Sequence, residues 1–282
     1  MIVVTGATGH LGRLVVERLR ETLPAGEVVA AVRTPEKAVD LGVEVRHADY
    51  DEPDTLVPAL DGADKVLLIS APELGGRFEQ HQAVIDAATK VGVSQLVYTS
   101  APQADTSELV VVPEHKATEA ALRTSGLTYT ILRNGWYNEN FQPAIEQAVR
   151  TGSFAGSAGS GRVASAARKD FADAAVAVLT GPNHADATYE LSGDSAWTYA
   201  DLAATLSDVT GREVTYQDLS PQEHVALLVS VGLPQSLAEF VVTVEQGTKA
   251  GWLGEVTSGL SDLIGRPSTP MRDTVLEIVS SL

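Results

Sequence analysis

Short apolar runs stand at residues 2–5, 28–32, 43–47, 65–70, 95–99 and 128–132, the third with polar residues interleaved. Between them the apolar positions recur at helical spacing. Leu11, Val15 and Leu19 follow the first run; Val84, Ile85 and Ala88 lie within residues 78–90; an alanine-rich face lies within residues 114–124. Near-continuous apolar strands suit a sheet covered on both faces. Strands separated by helices run parallel, through right-handed crossovers. The pattern predicts an α/β, doubly wound parallel sheet of the Rossmann kind. Such a sheet holds its ligand outside the carboxyl ends of its strands, so the residues just after each strand carry the functional question.

Beyond residue 150 the punctuation changes. Residues 152–161 hold four glycines and three serines, which predicts a loop or hairpin reaching to about residue 166. A helix over 169–179 and a strand over 188–191 follow. Thr198 is placed to cap a helix to about Val209. Ser220-Pro221-Gln222-Glu223 joins an N-cap, a first-turn proline and a capping-box glutamate. Pro234 and Thr269-Pro270 mark two more helix starts. These signals predict a nucleotide-binding Rossmann domain over 1–192 and a smaller, mostly helical C-terminal substrate lobe over 193–282. No low-complexity linker separates them, so the lobe should pack on the sheet, with the substrate cleft between.

Composition narrows the classes. The 282 residues suffice for a large domain plus a small lobe. No stretch approaches the ~20 continuous apolar residues that span a bilayer. The start of the chain runs straight into a strand, without a basic segment or cleavage site. The expectation is a cytoplasmic protein that does not engage membranes. The net charge of -17 is spread along the chain; it disfavours nucleic acid and reads as a solvated surface. There is no cysteine, which excludes disulfides, thiolate catalysis and iron–sulfur ligation. The six histidines show neither HExxH nor paired spacing, so no metal site is expected, and no GxSxG nucleophile is present. A homo-oligomer is left open.

The residues after the strands carry the chemistry. Gly6-Ala7-Thr8-Gly9-His10-Leu11-Gly12 follows the first strand and opens a helix. Glycines there allow a tight turn and close approach of a diphosphate, and the helix N-terminus offers N–H groups and positive dipole. Arg33 follows the second strand, where an acidic residue would bind the ribose 2′-hydroxyl of NAD. An arginine there instead accommodates the 2′-phosphate of NADP, so NADPH is the expected cofactor; the plainer reading is a solvent-facing side chain. Lys37, one turn into the next helix, adds charge. Asp49 and Tyr50 follow the third strand, and Asp49 either accepts from the adenine or caps a turn. Ser70 and Ala71 follow the fourth strand, Thr99 and Ser100 the fifth.

The runs TGATGHLG at 5–12, AAVRTPEKA at 30–38, RHADYDEP at 46–53, LLIS at 67–70 and YTS at 98–100 make a recognisable set. EHKATE at 114–119, TILRNGWYNEN at 130–140, YELSGDSAWT at 189–198 and LIGRPSTP at 263–270 extend it over nearly the whole chain. The chain resembles the NmrA-like branch of the atypical short-chain dehydrogenase/reductases. Within it, the chain looks like the type 2 NAD(P)H:quinone oxidoreductases and the related triphenylmethane reductases. The resemblance implies a Rossmann domain with a small C-terminal lobe, and NADPH as cofactor.

Ordinary members of that superfamily use Ser, Tyr and Lys, the last two in a YxxxK helix. Here His115 and Glu119 stand where the Tyr and Lys would be, and Glu119 cannot supply a lysine's charge. That departure disfavours alcohol chemistry. Reduction of a quinone needs less, because hydride delivery yields a stabilised phenolate and positioning supplies most of the catalysis. Asn134, Trp136 and Tyr137 follow the sixth strand. Asn134 is a candidate to hydrogen-bond the nicotinamide or the substrate, and Trp136 or Tyr137 to stack on a flat acceptor; the aromatics alternatively pack the lobe interface. His115 either hydrogen-bonds a quinone oxygen or is an idle surface histidine. Arg168 and Asp170 either contact the cofactor or fix a loop. His81, on the apolar stripe of its helix, reads as a buried structural residue. Three functions stay open: an NADPH-dependent reductase of quinones or similar planar acceptors, a reductase of dyes, imines or activated alkenes, and a non-catalytic NADP(H) sensor of NmrA type.

Overall fold

The computed structural model describes residues 1–72 and 75–282. Seven strands form one sheet: β1 (Ile2–Thr5), β2 (Val28–Val32), β3 (Glu44–His47), β4 (Lys65–Leu68), β5 (Gln95–Ser100), β6 (Tyr129–Asn134) and β9 (Ala187–Leu191). Two short strands, β7 (Ser153–Gly156) and β8 (Arg162–Val163), precede the last and lie outside this sheet. The order is β3-β2-β1-β4-β5-β6-β9, and every neighbouring pair is parallel. Growth of the sheet reverses direction between β1 and β4, which opens a crevice at the strand carboxyl ends.

The apolar runs are continuous because both faces are covered. Val4, Val32, Leu67, Val97 and Leu132 pack with residues of α1 (His10–Thr22) and α6 (Arg168–Thr180). Their neighbours along the strands, among them Val3, Val29, Leu68, Leu96, Tyr98 and Ile131, pack on the other face. There they meet α2 (Leu56–Leu60), α3 (Arg77–Val91) and α4 (Val112–Thr124). No described helix is long and apolar enough to cross a membrane.

Two expectations are corrected. The stretch after β2 forms two single 3-10 turns, Pro35–Lys37 and Val39–Leu41, not an α-helix. Pro35 opens it and Gly42, at φ +64, closes it, leaving room for only single turns. Residues 152–166 do not form a hairpin. β7 pairs in parallel with β11 (Thr215–Asp218), and β8 pairs antiparallel with β10 (Trp197–Thr198). The apolar residues on these strands choose the partners: Phe154 and Val163 enter a second core. That core also takes Ile145 of α5 (Gln142–Thr151), Leu202 and Leu206 of α7 (Tyr199–Thr210), and Val275 and Ile278 of α11 (Met271–Ser281).

Helices α8 (Pro221–Ser230), α9 (Gln235–Lys249) and α10 (Gly259–Ile264) complete the C-terminal part. The capping boxes read at Thr198 and Ser220 both form. Ala101, Leu109 and Val112, from the end of β5 to the start of α4, belong to the second core as well. The C-terminal elements are thereby seated on the rim of the crevice.

Candidate active site

The strand ends open on a cleft of about 680 Å³, within the usual range of small-molecule sites. At its β1 end the chain turns through Gly6, whose φ of +60 only glycine adopts cheaply. Gly12 lies against that turn. A Cβ there would come 2.4 Å from Gly6 O and 2.7 Å from Ala7 Cα. Gly9 is the N-cap of α1, no side chain among the described residues caps the helix, and its first turn holds no acidic residue. The first-turn N–H groups are therefore left for an anion, which the helix dipole also favours. Thr8, His10 and Leu11 line the same mouth.

Arg33, Thr34 and Lys37 stand on the adjoining wall, with Arg33 and Lys37 exposed. The cleft thus meets two cations beside an anion-ready helix end, in a chain of net charge -17. Asp49 lines the cleft and also holds its own turn, Oδ1 accepting from Asp51 N at 3.1 Å. Tyr50 donates to Ile69 O at 3.0 Å and also bonds Thr5 Oγ1. Ser70, Ala71, Thr99 and Ser100 continue the wall across β4 and β5. Thr99 Oγ1 accepts from Ser70 N at 2.9 Å, which ties the two strand ends together.

Helix α4 gives its two marked residues different work. His115 is not a surface residue: it is buried, at 6% exposure, yet lines the cleft. Its Nδ1 lies 2.7 Å from Tyr98 OH. Burial first, then the positive charge of Arg77, hold its pKa down to about 3, so the ring is neutral. Glu119 instead accepts from Ser100 Oγ at 2.6 Å, and from Nε and Nη2 of Arg133 at 2.9 and 2.6 Å. Arg133 also reaches Glu190 and Asp105. The hydrogen bonds to Glu119, chief among these contacts, raise the pKa of Arg133. With its hydroxyl hydrogen directed at Glu119, Ser100 has no proton to offer the cleft.

At the far end, Asn134 Nδ2 donates to Tyr137 OH at 3.2 Å. Asn134 Oδ1 is buried and has no hydrogen-bond partner among the described residues. A buried acceptor left without a donor costs ~1–3 kcal/mol, so this atom on the cleft wall suits a ligand N–H or O–H. The Tyr137 ring meets Phe171 edge-on at 5.0 Å, and the Arg168 guanidinium sits over it at 4.9 Å. Trp136 is half-buried and packs on the second core. Both aromatics therefore pack and line the cleft together. Arg168 lines the cleft, but Asp170 does not: it is fully buried and holds Thr269 N at 2.6 Å and Arg266 at 2.8 Å. Of its two readings, Asp170 takes the loop.

Several lining residues escaped the sequence reading. Arg77 opens α3 and its Nε donates to Ala71 O at 2.7 Å, bracing the loop after β4. A cation at a helix N-terminus opposes the dipole, and that anomaly was its available signal. Gln80, one turn on, lines the cleft with a buried Oε1 that has no partner among the described residues. Pro102, Leu109, Val111 and Leu253 form an apolar wall near Trp136. They come from non-periodic loops, which carry no pattern to read.

A family model described as NAD(P)H-binding matches residues 6–182. Quinone oxidoreductase 2 of Escherichia coli is 47% identical over 278 residues, covering 98% of this chain and 97% of that protein. A crystal structure of an NADPH-dependent quinone oxidoreductase from E. coli, complexed with NADPH, superposes with a TM-score of 0.96 at 46% identity. It covers 99% of this chain and 100% of that one. The triphenylmethane reductase of Citrobacter sp., complexed with NADP(H), superposes at 0.95 with 38% identity, covering 99% and 100%.

Proposed function

The chain belongs to the NAD(P)H-binding family, and on that premise we propose that it is an NADPH-dependent reductase whose acceptor is a quinone or a similar planar, electron-poor molecule. The observation that carries this reading is the single continuous cleft. An anion-ready helix end and two cations stand at one end of it, and aromatic and apolar walls at the other. The residues fit the cofactor. Gly12 leaves no room for a Cβ, so the start of α1 packs close on the turn at Gly6 and Ala7 and keeps its N–H groups at the cleft, and Asn134 Oδ1 is a buried acceptor without a donor among the described residues.

In the proposed arrangement the backbone of residues 6–12 holds the diphosphate, with Arg33 and Lys37 at the 2′-phosphate. Asp49, Tyr50, Ser70, Ala71, Thr99, Ser100 and Arg168 line the rest of the cofactor's path. When bound, NADPH supplies the hydride. Asn134 Oδ1 accepts from a carboxamide N–H or a substrate N–H or O–H, and Tyr137 fixes Asn134 through their hydrogen bond. His115 faces the acceptor as a neutral ring. Trp136, Tyr137 and the wall of Leu109 and Leu253 exclude water and seat a flat ring.

The committed Ser100 hydroxyl and the neutral His115 favour an acceptor that needs no strong acid. A quinone fits, since its two-electron reduction leaves a stabilised phenolate. The test is NADPH oxidation against benzoquinones and naphthoquinones, with NADH alongside and a triphenylmethane dye as a second acceptor. Turnover with NADPH preference supports the reading. Tight NADPH binding without turnover of any acceptor overturns it in favour of a nucleotide sensor.

A further inference from the structure

Four polar groups lie in line between the loop after β4 and the cleft face of His115. Ala71 N–H donates to His81 Nε2 at 3.0 Å. His81 Nδ1 lies 3.0 Å from Thr118 Oγ1 and 3.3 Å from Tyr98 OH. Tyr98 OH lies 2.7 Å from His115 Nδ1. His81, Tyr98 and Thr118 are all fully buried, so water does not scramble these bonds.

The directions of the hydrogen bonds follow one another. A backbone N–H only donates, so His81 Nε2 carries the lone pair. His81 is neutral, because burial first and Arg77 second hold its pKa to about 3, and its one proton therefore sits on Nδ1. Thr118 directs its own hydrogen to Glu114 O at 2.8 Å and so accepts from His81. Tyr98 oxygen stands beside the same Nδ1–H, which leaves the phenol hydrogen for His115 Nδ1, its nearest acceptor. The neutral ring of His115 then has its proton on Nε2, the nitrogen with no partner among the described residues.

We propose that His81 and Tyr98 are positioning residues that lock His115 in its Nε2–H tautomer, making it a neutral hydrogen-bond donor to the acceptor's carbonyl oxygen. The tautomer assignment stands on the four contacts and on the neutrality of the two buried rings; the donor role rests on the reductase reading above. A neutral imidazole donor stabilises a developing oxyanion without carrying positive charge into a buried site. The line conducts no proton. Its inner end is an amide that keeps its hydrogen, so the proton completing the reduction enters from water through the cleft. The charged groups around the pair are Arg77, which opens α3, and Glu114 and Glu119 on α4. Glu114 accepts from Arg77 N at 2.9 Å, and Glu119 is held by Arg133 and Ser100. Arg77 Nε donates to Ala71 O, so both backbone polar groups of the residue that starts the line are held.

The experiment is a long-range proton–nitrogen correlation spectrum of the full chain labelled with 15N-histidine, with His115→Gln and Tyr98→Phe used for assignment and perturbation. The wild type should show His81 as the Nδ1–H form and His115 as the Nε2–H form at pH 6 and pH 8. Tyr98→Phe should move His115 toward a mixture of tautomers and lower kcat for quinone by about three- to tenfold, the loss of one neutral hydrogen bond, with KM for NADPH unchanged. His115→Gln places an N–H at a similar reach and should keep more activity than His115→Ala. A wild-type His115 protonated on Nδ1, or on both nitrogens at pH 6, overturns the proposal without any variant needing to fold. The expected tautomers without quinone turnover sink the reductase reading and leave the lock standing; turnover with the wrong tautomer does the reverse.

Discussion

Replacing Gly12 by alanine tests the cofactor loop with a single methyl group. The added Cβ would lie 2.4 Å from Gly6 O and 2.7 Å from Ala7 Cα, both backbone atoms that no rotamer change can move. Relief requires the start of α1 to lift by roughly 1 Å, toward an ordinary carbon–oxygen contact. That helix buries Leu11, Val15, Val16 and Leu19, so the lift disturbs packing as well as the loop. Overpacking of this kind costs about 1–3 kcal/mol, and immovable neighbours put it at the upper end. For a chain this long the unfolding entropy corresponds to about 0.6 kcal/mol per degree, so Tm should fall by about 5 °C. The first-turn N–H groups shift with the helix, and NADPH and NADH should each bind about tenfold more weakly. Gly26→Ala is the control, because a Cβ there meets nothing within 4 Å. Thermal unfolding with and without NADPH, together with fluorescence titration, reads both effects. A Gly12→Ala protein with unchanged Tm and Kd, like the Gly26 control, would refute the argument that the loop is closed to any side chain.

Arg33→Ala should weaken NADPH binding by about tenfold, the low end for a charge-assisted bond because the side chain is exposed, and leave NADH binding nearly unchanged; equal losses in paired titrations would remove the 2′-phosphate assignment. Glu119→Gln should cost about 2 kcal/mol, since it weakens the charge-assisted bonds to the buried Arg133, which keeps Glu190 and Asp105 as counter-charges, and a Tm equal to wild type would contradict that. His115→Ala should slow quinone reduction without abolishing it, as steady-state rates will show; complete loss would make His115 an essential acid. The pKa values of His81 and His115 fall from 6.5 when unfolded to about 3 when folded. The unfolded chain therefore binds more protons below pH 6.5, and the stability they contribute is complete above it and lost as pH falls toward 3. Urea midpoints at pH 6.5 and 5, a window above the carboxylate range, should drop, and less so in a His115→Gln protein.

The amino-acid sequence by itself determined the sheet and its ligand crevice. Runs buried on both faces have to be continuous, and helical crossovers between most of them force parallel pairing, so the pattern identified six of the strands' places and the residues at their ends; β3, at the sheet edge and reached through 3-10 turns, showed as the run with polar residues interleaved. The helix starts at Thr198 and Ser220 were legible for the same local reason: an N-cap and its glutamate or aspartate act within four residues. Tertiary structure decided what local chemistry leaves open. The pairing of β7 with β11 depends on Phe154 finding a core built from distant helices, which no turn signal encodes. The apolar wall of Leu109 and Leu253 comes from loops brought together only by that core. His115 read either as a partner of a quinone oxygen or as an idle surface histidine; its burial follows from the packing of α4 against α3 and β6, with Tyr98 of β5 against its ring. Its neutrality follows in turn from that burial and from Arg77, and the tautomer proposed for it rests on Tyr98, His81 and one backbone amide at Ala71, separated along the chain and joined only where the sheet folds them into one line.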